Sequence, residues 1–310
     1  MLLLGYDIGG TKSAVITALY ENEEIKILDK KVIPTKGTPY EVIDALNALA
    51  TEILGGKKPD RIGISCGGPL DSKKGVIMSP PNLPTWDNFP ICDIIENYFG
   101  TRPALQNDAN AGAVAEWKFG AGKGFSNIIF MTFGTGLGAG LILDGRLYDG
   151  TNGNAGEVGH IRLMDDGPIG FGKNGSFEGF CSGGGLAQLG KMLAEEAKAK
   201  GITPLYCKGD EISAKTIAEA ANMGDETAIA VYNLCGKMLG KGLSIIIDIL
   251  NPQRIIIGSV FTRSENLLRD SMQSEIEKEA LSISADVCKV VPSMLSEKIG
   301  DYAALGVSLL

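Results

Sequence analysis

Two stretches of this 310-residue chain share one pattern: an apolar run, a bend of glycine and threonine, then a second apolar run. That repetition restricts the fold more than any other feature. The first stretch is Leu2 to Tyr6, the bend Asp7-Ile8-Gly9-Gly10-Thr11-Lys12, and Ala14 to Leu19. The second is Ile128 to Thr132, the bend through Gly134, Thr135 and Gly136, and a return into Leu141-Ile142-Leu143 with further glycines at 138 and 140. Short apolar runs around a tight glycine bend read as hairpins whose tips can present N–H groups to an anion. Taken alone, an ordinary hairpin turn accounts better for the first bend. The second places bare backbone on one face, open to a triphosphate or to another strand. Together the two suggest a duplicated α/β unit with a nucleotide clasped between the halves. GxxxxGK[ST] is absent and no GxGxxG opens a helix, so neither a Walker-type loop nor a dinucleotide fold is indicated.

Around these bends the periodicities alternate. Pro39 to Gly55 is an amphipathic helix stopped by Gly55-Gly56, and Arg61 to Cys66 is a buried strand ended by Gly67-Gly68-Pro69. That turn is either a ligand loop at a strand's carboxyl end or a plain connection. Ser79 to Trp86 is proline-rich and irregular. Its Asn82 could face a polar ligand, while Trp86 suits packing against the next helix, Ile91 to Phe99. Helices are also expected at Ala111–Phe119, Leu186–Lys200, Thr216–Met223, Asp225–Leu250, near Glu265–Leu281 and at Asp301–Leu309. Strands are expected at Arg254–Ser259 and Val287–Val291. The chain length suits two domains, with the boundary in a short connection near residues 110 to 120.

Chemistry-bearing side chains concentrate between Phe99 and His160. Asp108 ends an extended segment, Gln106-Asn107, and precedes a helix. Helix N-capping is its ordinary role, and the stronger one for the residue in isolation. A carboxylate at the mouth of a strand can also act as general base for a hydroxyl. His160, the only histidine, follows Glu157 in Gly156-Glu157-Val158-Gly159-His160. A lone histidine usually has a structural hydrogen-bonding role. A carboxylate, a phosphate-sized glycine bend and a Glu/His pair together meet the needs of phosphoryl transfer onto a hydroxyl, so the residues point to a kinase of a small polyol.

A formal charge of -8 argues against a nucleic-acid surface. The six cysteines are scattered without CxxC spacing, as expected for reduced thiols, mostly small core residues, in a reducing compartment. Asp7 interrupts the apolar start before a signal peptide could form, and Lys241 and Asp248 interrupt the apolar run from Met238 to Leu250. The expectation is a cytoplasmic protein with no membrane partner.

The ordered set DIGGTK (7–12), GGP (67–69), PNLPTW (81–86), QNDANAGAVAE (106–116), TFGTGLGAG (132–140) and GEVGH (156–160) resembles the sugar kinases of the ROK family over nearly the whole chain. The resemblance implies the actin-like ATPase fold, an α/β duplication of a ribonuclease H-like unit in two domains with a cleft between them. The smaller domain would be residues 1–112 plus about 297–310, and the larger 113–296. It implies ATP-dependent phosphorylation of a hexose, at its 6-hydroxyl, by a homodimer. Asp108 would be the general base, with Asn107 beside it. Gly67, Asn82, Glu157, His160 and Glu178 would bind the sugar ring. Gly9, Gly10, Thr11, Lys12, Gly134, Thr135, Gly136 and Gly138 would hold the phosphates, Gly183, Gly184 and Gly258 would lie near the adenosine, and Asp7 would organise magnesium through water.

Two rivals are a sugar-sensing regulator and a catalytically silent sugar-binding protein. The family's regulators carry a helix-turn-helix ahead of the kinase-like part, and with DIGGTK starting at residue 7 and no basic segment before it, a DNA reader is not expected here. Intact Asp108 and both bends speak against silence. The sequence departs from the family in one place. Many members carry a zinc-binding CxCGxxGC stretch, whose cysteine positions fall here on Ile169, Phe171 and Ser176. Zinc is therefore not expected, and apolar packing of Ile169 and Phe171 is expected to hold His160 and Glu178 instead.

Overall fold

The computed structural model describes residues 1–209 and 211–310. Both repeated stretches open a five-stranded sheet. In the first sheet, β1 (Leu2–Ile8), β2 (Lys12–Glu21), β3 (Glu24–Pro34), β4 (Arg61–Cys66) and β7 (Ala104–Asn107) lie in the order β3-β2-β1-β4-β7. A small hairpin, β5 (Leu70–Asp71) and β6 (Val76–Ile77), stands apart from it. In the second sheet, β8 (Ile128–Phe133), β9 (Leu137–Leu143), β10 (Arg146–Tyr148), β13 (Arg254–Ile257) and β14 (Lys289–Pro292) lie in the order β10-β9-β8-β13-β14. A second short pair, β11 (Ile169–Gly170) and β12 (Lys173–Asn174), lies outside that sheet. Counting strands within each sheet gives the same sequence, third, second, first, fourth, fifth. The duplication suggested by the two bends is thus present in the topology. Each sheet also ends in parallel pairings, β1 with β4 and β4 with β7 in one, β8 with β13 and β13 with β14 in the other.

The chain divides into two compact units. The first comprises Met1–Phe125, Gly140–Ala155 and Met294–Leu310, and the second Ser126–Ala139 and Gly156–Ser293. In the first unit, α1 (Pro39–Leu54) is started by a Thr38/Glu41 capping box and stopped by Gly55 in the left-handed region. It shares one core with α2 (Ile91–Phe99) and one face of the sheet, where Tyr6, Leu46, Trp86 and Phe89 are buried. Leu3, Ile16, Ala304 and Leu305 form the core on the other face, against α10 (Ile299–Val307), which packs in turn on α3 (Asp108–Phe119). Helix α3, divided at residue 112 by the sequence-based domain expectation, lies whole within this unit.

Close approach of α10 to the sheet depends on Gly63. A Cβ there would come 2.2 Å from the Ala304 carbonyl oxygen and 2.5 Å from the Ser308 nitrogen. Neither backbone atom can step aside without moving the helix. Gly63→Ala is therefore expected to lower unfolding stability by about 3 kcal/mol, read from denaturant titration.

The second unit holds α4 (Phe177–Phe180), α5 (Gly183–Ala199), α6 (Ala214–Asn222), α7 (Glu226–Leu250), α8 (Val260–Glu279) and the short α9 (Ser282–Ala285), with α7 packed on α5, α6 and α8. Phe177, Leu239, Leu243, Ile256 and Phe261 are buried among them. Helix α8 starts five residues earlier than the sequence pattern suggests. Ser264 within it is non-helical, φ -130° and ψ 26°, and this kink breaks the apolar period. Strand β3 had no place in the sequence reading. It is an edge strand, largely exposed and carrying three lysines, and its alternation is interrupted at Leu28, where the pairing with β2 shifts register. Among the described residues no helix is long and apolar enough to cross a membrane.

Candidate active site

The expected site residues fall into two groups, one in each unit. In the first unit, β1 and β2 meet at the Gly9-Gly10-Thr11 bend, which is braced from β3's end. The Thr35 hydroxyl donates to the Gly9 carbonyl at 2.7 Å, and the Thr35 N–H donates to the Thr11 carbonyl at 3.0 Å. Gly10 is obligatory for a reason internal to the protein, since a Cβ would lie 2.6 Å from the Asn82 carbonyl oxygen. Asn82 also sits over Gly67, with its Oδ1 3.2 Å from where a Cβ would be. The proline-rich loop thus joins two of the expected motifs. Trp86 takes the packing role, edge-to-face with Phe89 at 5.2 Å. Thr11 and Lys12 are exposed at the tip.

The structure revises the reading of Asp108. The N-cap of α3 is Asn107, whose Oδ1 accepts from the Asn110 N–H at 2.8 Å, and Asp108 is the first residue inside the helix. The neighbour does the capping, so the Asp108 carboxylate is not committed to it. Its Oδ1 accepts from the Ala109 N–H at 2.8 Å. The residue is open to solvent on one side, yet surrounding protein strips hydration from the carboxyl and pushes its pKa up, against the pull of the Ala109 and Asp108 N–H groups. A carboxylate with a raised pKa is a stronger base, the property a hydroxyl proton acceptor needs.

Asp7 lies at the end of β1, beside the start of α10. A Cβ on Gly300 would meet the Asp7 Oδ2 at 2.7 Å. Its pKa is raised by burial first and by Asp301, with Lys30 opposing and Asp108 adding. Lys30 is held by Asp301 in an ion pair. Gly300 and Asp301 escaped the sequence reading because they open an unremarkable terminal helix far along the chain.

The second group forms around the other bend. The Gly134 N–H donates to the Gly136 carbonyl, closing the bend, and the Gly183 N–H donates to the Gly134 carbonyl at 2.8 Å. That bond seats the start of α5 against the bend. Ser182 caps α5 through the Gly185 N–H. Around Gly134 a Cβ would meet only the Ser259 Oγ, at 3.7 Å, and around Gly184 only the Ser182 Oγ, at 3.9 Å. Bare backbone beside a helix N-terminus suits a polyphosphate. The Gly138 N–H is held by the Thr132 hydroxyl at 2.9 Å. Gly258 closes β13 beside the Phe130 ring, and its successor Ser259 has φ 54° and ψ -112°, a strained backbone for a non-glycine residue. Ser259 belongs with this group and was not among the expected residues.

Gly156 has φ 90°, and its Cβ position lies 2.0 Å from the Ala139 carbonyl oxygen; the Ala139 N–H donates to the Gly156 carbonyl at 2.9 Å. This close approach holds Glu157 and His160, both exposed, beside β9. Glu178 on α4 reaches the same strand, its Oε2 accepting from the Leu137 N–H at 2.9 Å.

Tetrahedral zinc is held by thiolate, imidazole or carboxylate donors, and Ile169, Phe171 and Ser176 supply none of these. Of the expected apolar hold on His160 and Glu178, the Phe171 ring against His160 is present, but packing is not what holds the segment itself. Ile169 is 52% and Phe171 73% exposed. Hydrogen bonds do the holding: Gln188 clasps both the N–H and the carbonyl of Ile169, each at 2.9 Å, and Ser176 caps α4 through the Gly179 N–H. The Phe171 ring meets His160 edge-to-face.

Two five-stranded sheets of the same strand order, each opening on a strand–glycine–strand bend, define the actin-like ATPase fold. The ROK family model matches residues 3–310, and the chain belongs to the ROK family. It is 32% identical over 305 residues to a glucokinase of Streptomyces coelicolor, covering 96% of this chain and 95% of that protein. Among solved structures it is similar to a ROK family glucokinase from Streptomyces griseus in complex with glucose and AMPPNP, with TM-score 0.77, 30% identity, and 100% and 99% of the two chains covered. It is also similar to a ROK family transcriptional regulator, a homolog of the E. coli MLC protein, with TM-score 0.86, 25% identity, and 99% of this chain and 78% of that one covered.

Proposed function

We propose that this protein is an ATP-dependent sugar kinase that phosphorylates a hexose at its primary 6-hydroxyl, with Asp108 as general base. Because the same fold carries a transcriptional regulator, the proposal rests on Asp108 rather than on the fold. The observation that carries it is the division of labour at the start of α3. Asn107 satisfies the helix, and Asp108 keeps a carboxylate of raised pKa in the first turn.

On this reading Asp108 takes the proton from the 6-hydroxyl as that oxygen bonds to the γ-phosphorus, and the bond to the β,γ-bridging oxygen breaks, leaving ADP. Asn82, Asn107, Glu157, His160 and Glu178 orient the sugar hydroxyls. The backbone at Gly9 to Thr11 and at Gly134 to Gly138 holds the phosphates, with Gly183, Gly184, Gly258 and Ser259 towards the nucleoside. Magnesium, when bound, neutralises charge on the phosphates. Asp7 suits it as a partner through water, because a carboxyl crowded by Asp301 and Asp108 gains from a nearby cation, and magnesium keeps several of its waters. A cytoplasmic homodimer is the setting we propose.

The test is a panel of glucose, fructose, mannose, allose, N-acetylated hexosamines and a β-glucoside, each with ATP and magnesium, read as ADP release. The expected result is sugar-dependent release with one hexose preferred. Release at the same rate without any sugar would count against the proposal.

A further inference from the structure

We propose that the segment from Ile161 to Ser176 is a metal-independent brace that positions His160 and Glu178, with Phe171 and Lys173 as its contacts to His160. Its kinetic consequence rests on the sugar-kinase reading; its physical content does not.

The brace is built from short-range hydrogen bonds. The Leu163 N–H donates to the Gly175 carbonyl at 2.8 Å, the Phe177 N–H to the Ile161 carbonyl at 2.8 Å, and the Arg162 guanidinium to the Asn174 carbonyl at 2.9 Å. Phe177 is fully buried and fixes the far end, one residue before Glu178. Strands β11 and β12 then form a hairpin whose two-residue turn is Phe171-Gly172. Both turn residues have positive φ, 44° and 74°. Such a turn favours Asn or Gly, and a bulky aromatic there opposes the fold.

Core burial does not explain that choice, because the ring is 73% exposed. What the ring touches does. It meets the His160 imidazole edge-to-face, with centroids 5.3 Å apart and planes at 79°. Two residues on, the Lys173 ammonium donates to the His160 carbonyl at 2.6 Å. One side chain thus orients the ring and the other anchors the backbone. Glu178 is set from the opposite end by Ser176, which caps α4, and by its own bond to Leu137. No step of this arrangement uses a metal donor.

The test exploits the chain's single histidine, whose imidazole C–H resonances need no sorting from others. Phe171→Asn suits the turn better than the native residue, so a loss of fold cannot masquerade as the effect. In this variant the His160 resonances should move towards those of a free imidazole, with no fall in Tm. The KM for the sugar should rise about three- to tenfold, the worth of one edge-to-face pair, while the KM for ATP stays constant. Lys173→Met should raise the sugar KM in the same direction, and Phe171→Tyr should restore wild-type values. Unmoved His160 resonances in Phe171→Asn would overturn the contact. Moved resonances with an unchanged sugar KM, or with the KM for ATP rising equally, would overturn its role. If the wild type turns over no sugar, the sugar-kinase reading fails, and the resonances alone then decide the brace.

Discussion

Asp108→Asn is expected to lower kcat by a factor of about 10² to 10⁴, the range for a general base, while leaving the KM for sugar within about twofold of wild type. Stability separates this loss from a packing defect. Asn107, not Asp108, caps α3, so the variant keeps its helix start. The folded-state pKa of Asp108 lies above its ordinary value. A carboxyl shifted that way favours folding when protonated, and the advantage is lost as pH rises through the folded-state value. At neutral pH the ionised Asp108 therefore opposes folding, and its replacement by Asn should leave Tm unchanged or raise it. That difference should shrink as pH falls through the folded-state value and disappear below roughly pH 3, where the carboxyl is neutral in both folded and unfolded chains. Wild-type kcat should fall along the acid limb with a midpoint above the usual aspartate range. A variant with normal turnover, or one that loses activity only because it unfolds, would remove Asp108 as the base.

The second large effect is expected at Asp7. Asp7→Asn should raise the magnesium concentration needed for half-maximal activity by about 10- to 100-fold, the range found when a group acting on a metal through an intermediate is removed. Burial and the like charges of Asp301 and Asp108 raise the Asp7 pKa, so the sign is again that of a carboxylate opposing the fold at neutral pH. The variant should thus be at least as stable as wild type without magnesium and less responsive to added magnesium in thermal unfolding. Equal magnesium dependence in the two proteins would move the metal role elsewhere. Gly300→Ala offers a milder version, because its methyl group presses on the Asp7 Oδ2 rather than removing the charge.

The fold was legible in the sequence where local patterns were strong. The two strand–glycine–strand stretches announced a duplication, and the sheets repeat one strand order around them. Helix α1, with its capping residues and Gly55-Gly56, and strand β4 fall where the apolar periodicity put them. Patterns failed where the physics is not local. Strand β3 is an exposed charged edge, and α8 hides its start behind a kink at Ser264.

The site shows the same division. Motifs named Asp7, Asp108 and the two bends, but assigning the cap of α3 to Asn107 rather than Asp108 needed backbone geometry. Either side chain is chemically suited to capping, and sequence alone cannot rank adjacent candidates. Gly300 and Asp301 join the first group and Ser259 the second, each from a distant element, and only strain at Ser259 marks it out. The loop's departure from the family's cysteine pattern was legible, and of the expected apolar hold the Phe171 contact with His160 is present. What the apolar count missed is that both residues are exposed and that the loop backbone is held by hydrogen bonds, the Gln188 clasp among them.

The account stands or falls on where the phosphoryl group goes. Wild type and Asp108→Asn, each incubated with ATP, magnesium and the preferred hexose, can be followed by ³¹P and ¹³C NMR. The expected result is a phosphate ester on the sugar's C6 oxygen with wild type, formed in step with ADP, and almost none with the variant. Free phosphate in place of a sugar ester, or an ester formed equally by both proteins, would contradict it.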